Sequence, residues 1–283
     1  MRTTVTFILA MLAGSVVAQT YSGDTWAKVK ESGAGNIVLA YVETPSFVYK
    51  DNTGKLTGIC VDIMNDFVQW ANEKKSVKLT SSFEGDGSSF KGMYDKVKGG
   101  KGGVFGLGNI TITDDRKREV KFSQPFITNT AILITQTSVP TLAKMQDLAA
   151  TFSNLTAYTA KGTLNEKRML DVKQKYFPGM KITYTTTSQE TLEKVFSDPN
   201  GFAYLDMAFY LEALQLKKTV KRHPVGDQAA EQFGLIMPQN SDWGPVLDEF
   251  FTSTGYFASS KYKNVLVKHL GEAGIKLMQS VKK

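Results

Sequence analysis

Short apolar, β-branched runs alternate with stretches of helical periodicity along most of this chain, and that alternation constrains its fold more than any other feature. NIVLAYV (36–42) is followed by a helical pattern, then by VKLTSS (77–82), a second helical pattern and GVFGLGNI (103–110). Strand–helix–strand units of this kind join parallel strands with the helix packed over the sheet, so the pattern predicts an α/β lobe. The strongest helix follows Gly58, where Val61, Met64, Phe67, Val68 and Ala71 fall on one face.

A second alternation begins after Val139-Pro140: strand NLTAY (154–158), a helix over 163–176, strand KITYT (181–185), a helix over 191–196 and strand GFAYLD (201–206). It predicts a second lobe. FITNTAILIT (126–135) and FGLIMP (233–238) are apolar and turn-free and read as strands passing between the lobes, and two amphipathic helices follow near 246–252 and 261–270. Two crossings make the first lobe discontinuous, with 20–132 and 236–283 flanking a second lobe over 133–235.

The first nineteen residues carry one charge at Arg2, an apolar stretch over 5–12, and small residues at Val16 and Ala18 before Gln19. That is the pattern of a secretory signal peptide, and no later segment approaches the roughly 20 apolar residues of a membrane helix. The expectation is a periplasmic or secreted protein, soluble after cleavage. Cys60 is the sole cysteine and lies far from the cleavage site, which argues against a lipid anchor, rules out an internal disulfide and fits a small core residue.

Once Arg2 leaves with the leader, 33 basic residues face 27 acidic ones, a net +6, scattered as in KVKGGKGG and LKKTVKRH. Without a dense basic stripe interleaved with aromatics, the charge reads as a solvated surface and no nucleic-acid partner is expected. The two histidines, His223 and His269, have no Cys, Asp or Glu at metal-ligand spacing. Both are expected on the surface, with no metal site. There is no G-x-S-x-G elbow, and GGKGGVFGLG lacks the Lys-Ser/Thr ending of a phosphate loop. No cofactor is expected, and the chain is expected to be a monomer.

The informative stretch is GNITITDDRKREVKFSQPF (108–126). A strand ends near Thr111, Thr113 is placed to cap a helix, and Asp114 and Asp115 suit the positive end of its dipole. Arg116 then sits just inside that helix, either as one charge of a solvated run or as an anion anchor.

This segment resembles the motif of the family 3 extracellular solute-binding proteins, the amino-acid-binding components of ABC importers. There a strand ending in Thr precedes a helix bearing the ligand-carboxylate arginine and then Phe-Ser-x-Pro-aromatic, elements matched here by Thr111, Thr113, Arg116, Phe122, Ser123, Pro125 and Phe126. The resemblance runs from about residue 37 to 270. ETPSFVYKD with LTGICVDIMNDF is similar also to the ligand-binding domain of ionotropic glutamate receptors, through Gly58, Cys60, Val61 and Asp62, with Ile59 replacing that family's aromatic. Those receptors carry pore helices at the place of residues 135–140, where this chain has only a short connector, so a channel is excluded.

The resemblance implies a two-lobed periplasmic-binding-protein-like fold of type II, with a two-strand hinge and a ligand cleft between the lobes. It also implies a site. Arg116 takes a carboxylate through its planar fork of donors, Asn109 and Thr111 stand beside it at the strand end, and Phe90 stacks on the ligand, unless it is a core phenylalanine. Thr163 opens the helix of AKGTLNEKR, making a capping box with Glu166 and offering free backbone N–H groups, though Leu164 stands where that family has a second hydroxyl. Asp206 holds an α-amino group, unless it is merely a helix cap. The implied function is extracytoplasmic binding of a small α-amino acid by lobe closure, without catalysis, and delivery to an ABC-type membrane permease. Two rivals share the fold: a cyclohexadienyl dehydratase-like enzyme, for which Glu43 is the candidate acid, and a sensory partner of a receptor.

Overall fold

The structure is a computed structural model that describes residues 20–280; the leader expected at 1–19 lies outside them. In chain order the strands are β1 (Ala34–Val42), β2 (Tyr49–Lys50), β3 (Leu56–Thr57), β4 (Lys78–Gly87), β5 (Val104–Leu107), β6 (Val120–Phe122), β7 (Ile127–Gln136), β8 (Thr156–Ala160), β9 (Lys181–Thr185), β10 (Gly201–Asp206), β11 (Val220–Arg222), β12 (Gln228–Phe233) and β13 (Ile236–Pro238). The helices are α1 (Trp26–Ser32), α2 (Ile59–Lys75), α3 (Phe90–Lys98), α4 (Asp114–Lys117), α5 (Leu148–Thr151), α6 (Leu164–Tyr176), α7 (Ser188–Ser197), α8 (Met207–Gln215), α9 (Gly244–Ser253) and α10 (Ser260–Ser280).

Two sheets organise the molecule. The first has the order β4-β1-β5-β13-β6, with β1 parallel to both β4 and β5 and β13 antiparallel to its neighbours. The second has the order β11-β7-β10-β8-β9, with β12 also on β7. Helices cover both sheets, as a parallel sheet with two apolar faces demands. The α2 face forms as the spacing predicts, with Val61, Met64, Phe67 and Ala71 buried, and Cys60 is fully enclosed. Gly58 precedes α2 with φ 131°, and a Cβ there would stand 2.3 Å from the Phe47 carbonyl oxygen, so this turn admits no side chain.

The chain passes from the first sheet to the second between Phe122 and Ile127 and returns between Phe233 and Ile236. These two connectors run side by side. Ser123 N donates to the Leu235 carbonyl at 2.9 Å, Leu235 N donates to the Ser123 hydroxyl at 3.0 Å, and Phe126 N donates to the Phe233 carbonyl at 3.0 Å. The Phe-Ser-x-Pro-Phe stretch of the sequence is therefore the first strand of a two-strand hinge. All of FITNTAILIT but Phe126 lies in β7, within the second sheet, whereas FGLIMP is broken at Gly234-Leu235, so that Phe233 ends β12 in one sheet and Ile236 begins β13 in the other. The fold is the two-lobed, type II periplasmic-binding-protein arrangement, with a cleft between the lobes.

Both histidines depart from the expected surface position. His223 is fully buried. The Leu142 N–H donates to its Nδ1 at 3.0 Å, which leaves Nε2 to carry the proton and donate to the Thr135 hydroxyl at 2.7 Å. His269 is 6 % exposed and bridges the Tyr49 hydroxyl (3.0 Å) and the Asp62 carboxylate (2.8 Å), tying α10 to α2 and to the β2–β3 hairpin. Partners so distant in sequence leave no local pattern. Among the described residues, no helix is long and apolar enough to cross a membrane.

Candidate functional site

A cleft of about 620 Å³ opens between the two sheets, and Phe90, Asn109, Thr111, Arg116, Thr163 and Asp206 all line it. Four loops or helix starts deliver them: the entry to α3, the end of β5 with the turn into α4, the start of α6, and the end of β10. Strand ends at the rim of a sheet are where an open α/β fold places its ligands.

Arg116 is not one charge of a solvated run. Thr113 caps α4 by accepting from Arg116 N at 3.2 Å, and this sets the direction of the side chain. The guanidinium folds back, donating from Nη1 to the Thr111 carbonyl at 3.0 Å and lying 4.7 Å above the centre of the Phe90 ring and 5.8 Å from that of Tyr94. Phe90 and Tyr94 are themselves stacked, with centres 6.0 Å apart. Phe90 is half-buried, so it is both a platform for Arg116 and part of the cleft wall. Burial pulls the Arg116 pKa below its ordinary value, opposed by the nearby Tyr94, Asp206 and Glu119. Among the described residues, no carboxylate forms an ion pair with this guanidinium.

Asp206 does not act as the cap of α8. It stands at the N-cap position of α8, yet its carboxylate makes no capping bond, and Asn129 Oδ1 instead accepts from Met207 N at 3.2 Å. The carboxylate is 5 % exposed and receives the side-chain amides of Asn129, at 2.9 Å, and of Asn109 across the cleft. Burial raises its pKa, opposed chiefly by Arg168 and these amides. Thr44 orients the Asn109 amide by donating to its Oδ1 at 3.0 Å.

Thr163 caps α6 as its spacing predicts, accepting from Glu166 N at 3.2 Å, and its own hydroxyl donates to the Ala160 carbonyl at 2.8 Å. The reciprocal half of the box is displaced by one residue: Glu166 takes Gly162 N, at 2.7 Å. Glu43, on the rim, is exposed and paired with Lys50 at 2.6 Å.

Arg168 is the residue that sequence reasoning missed. It is 5 % exposed, lines the cleft, and spends its donors on Gln228 (3.0 Å from Nε), Asn165 (2.5 Å from Nη1) and Glu231, whose other oxygen accepts from Asn129 at 3.1 Å. In AKGTLNEKR nothing sets Arg168 apart from its charged neighbours except its spacing of three from Asn165, the other polar residue buried on α6. Thr186, Thr187, Ser188 and Gln189 at the start of α7 also line the cleft without having been singled out, since TTTSQ reads as an ordinary turn and cap. The result is one polar network from Thr44 in the first lobe through Asn109, Asp206, Asn129 and Glu231 to Arg168 in the second.

The sequence profile of the bacterial extracellular solute-binding proteins, family 3, matches residues 37–254. Among solved structures, the chain is similar to an ancestral arginine-binding protein bound to arginine, with a TM-score of 0.67 and 19 % identity over 83 % of this chain and 98 % of that one. It is similar to the arginine-, lysine-, histidine-binding protein ArtJ from Geobacillus stearothermophilus, with a TM-score of 0.67 and 19 % identity over 84 % and 96 %. An ancestral amino acid-binding protein described as a precursor of cyclohexadienyl dehydratase gives a TM-score of 0.65 and 17 % identity over 86 % and 98 %. At such identities the structural likeness speaks for the fold, and the family rests on the profile, which spans most of the sequence: the chain belongs to the bacterial extracellular solute-binding proteins, family 3.

Proposed function

We propose that the protein binds a small α-amino acid outside the cytoplasm by closing its two lobes about the connectors near residues 123–126 and 234–235, and hands it to an ABC-type permease. One observation carries the reading. A guanidinium without a carboxylate partner, Arg116, and a buried carboxylate, Asp206, face one cleft from opposite lobes. A ligand bearing a carboxylate and an ammonium on one carbon complements both charges at once. Thr111 flanks the carboxylate end, Phe90 supports it through Arg116, Asn109 reaches the Asp206 end, and the start of α6 at Thr163 approaches from the other side. Arginine-, lysine- and glutamine-bound relatives of the same fold support the ligand class.

Closure follows from contacts that only the closed form makes. A ligand shifts the lobe equilibrium by its differential affinity, and Asp206 supplies that difference once Arg116 has taken the carboxylate. Glu43, the candidate acid of an enzyme on this fold, is paired with Lys50 at the exposed rim.

A thermal-shift screen of the mature protein against the twenty amino acids, with Arg116→Ala beside it, tests the binding role. A ligand at a hundred times its Kd adds about 2.7 kcal/mol. Stabilisation by one or a few amino acids, lost in the variant, is the expected result; a folded protein silent to all of them overturns the reading. Unchanged uptake of the identified ligand in a deletion strain would refute transport while leaving binding intact.

A further inference from the structure

We infer that Glu212 forms a second, cation-accepting subsite in the cleft, so that the ligand carries a distal ammonium or guanidinium group besides its α-amino acid head. This rests on the amino-acid reading above and adds a feature that the head group does not use.

The observation is a charge without a counterpart. Asp206, Phe209, Glu212 and Gln215 recur at three-residue spacing along the end of β10 and α8, and all four line the cleft. Of the other charged residues on the cleft wall, Lys50 is paired with Glu43, Arg168 with Glu231, His269 bridges Tyr49 and Asp62, and Asp86 is exposed with its carboxylate accepting from Ser88 N and Oγ. The head group of an amino acid neutralises Arg116 and Asp206. Glu212 remains. Its Oε2 is buried with no hydrogen-bond partner, and no Lys or Arg ion-pairs with it among the described residues. Burial raises its pKa, the neighbouring Glu193 adds to the rise, and only a hydrogen bond with Gln189 opposes it. A buried carboxylate oxygen left unpaired is costly unless a partner arrives, and here the partner has to be a donor, best a cationic one.

The reach is suitable. Six residues separate Asp206 from Glu212, about 9 Å along the helix axis at 1.5 Å per residue. That is the scale of an extended four- or five-atom side chain ending in a cation. The polar wall beside it, Ser188 and Gln189 at the start of α7, accepts the remaining N–H groups of a guanidinium.

Arginine and citrulline make the test, because they have the same shape and differ in the charge of the terminal group. Titration calorimetry of the wild-type protein should show arginine bound more tightly than citrulline by about tenfold to a hundredfold, the size of one hydrogen bond to a charged group. In Glu212→Gln that ratio should collapse toward one. Arg116→Ala should weaken both ligands alike. A ratio near one in the wild type, or a preference that survives Glu212→Gln, overturns the subsite while leaving amino-acid binding in place. If neither these two nor any other amino acid binds, both readings fall together. Turnover of prephenate or arogenate that Glu212→Gln abolishes would make this carboxyl an acid catalyst and overturn the subsite as well. A melting curve of the ligand-free Glu212→Gln protein, expected at or above that of the wild type since the unpaired carboxylate is gone, excludes misfolding as the cause.

Discussion

The side-chain amide of Asn109 in the first lobe donates to the carboxylate of Asp206 in the second, so a hydrogen bond within the chain spans the cleft where an amino group of a ligand would sit. This bond both favours the closed form and competes with the ligand for Asp206. Removing it by Asn109→Ala should shift the ligand-free protein toward the open form by about tenfold or more in the closed-to-open ratio, as loss of a hydrogen bond to a charged group predicts. Small-angle scattering, or a spin-label distance across the cleft, reads the shift. An identical distribution of open and closed forms in the variant would count against the latch.

Arg116→Lys separates charge from geometry. A lysine keeps the positive charge, but it lacks the planar fork and the fit over Phe90 and Tyr94. Ligand affinity should fall by about tenfold or more even in this variant, and calorimetry checks it. Affinity equal to wild type would mean that the cation acts at long range and not as a bidentate anchor.

Arg168 and Glu231 form a buried pair, and cutting one member away should cost more than removing both. Arg168→Ala strands a buried carboxylate and is expected to lower stability by on the order of 3–5 kcal/mol, whereas Arg168→Met combined with Glu231→Gln should recover most of the loss. Urea denaturation of the single and double variants measures both. Additive losses would show that the two side chains act independently.

His223 sets an acid limit on stability. Burial depresses its pKa from 6.5 to about 4, and the positive charge of nearby Lys221 adds to the shift. Between those two values the unfolded chain binds the proton more readily than the folded one, so stability falls as pH drops from 6.5 through about 4. The loss approaches about 3 kcal/mol from this group alone. A neutral replacement such as His223→Gln should lower stability at pH 7 yet flatten the slope between pH 6.5 and 4 in denaturant titrations. A slope unchanged from wild type would assign the acid sensitivity to the carboxylates.

What was legible in the sequence is what depends on local period and local chemistry. The buried face of α2, the Thr113 cap that aims Arg116, the Thr163 cap and the end of β10 at Asp206 all follow from residues within a turn or two of each other. The rest needed distant partners. His223 is buried because Thr135 and Leu142, more than eighty residues earlier, receive it. Arg168 leaves the surface because Glu231 and Gln228 wait for it on β12. The break of FGLIMP at Gly234-Leu235 is set by the Ser123 hydroxyl on the other connector and not by any turn signal of its own. Glu43 and Glu212 are alike in sequence as isolated acids; only the fold gives one a lysine and leaves the other without an ion-paired cation among the described residues.

The position of β13 in the first sheet has a consequence for how the molecule is assembled during synthesis. β6 joins that sheet only through β13, and the flank of β5 that β13 covers has no other strand to meet. Every strand of the second sheet lies between Ile127 and Phe233, so that sheet can be completed while β5 still presents an open edge. A chain made from its N-terminus therefore begins its first lobe early and finishes it last, and until Ile236 arrives the exposed flank of β5 is a template for the wrong neighbour.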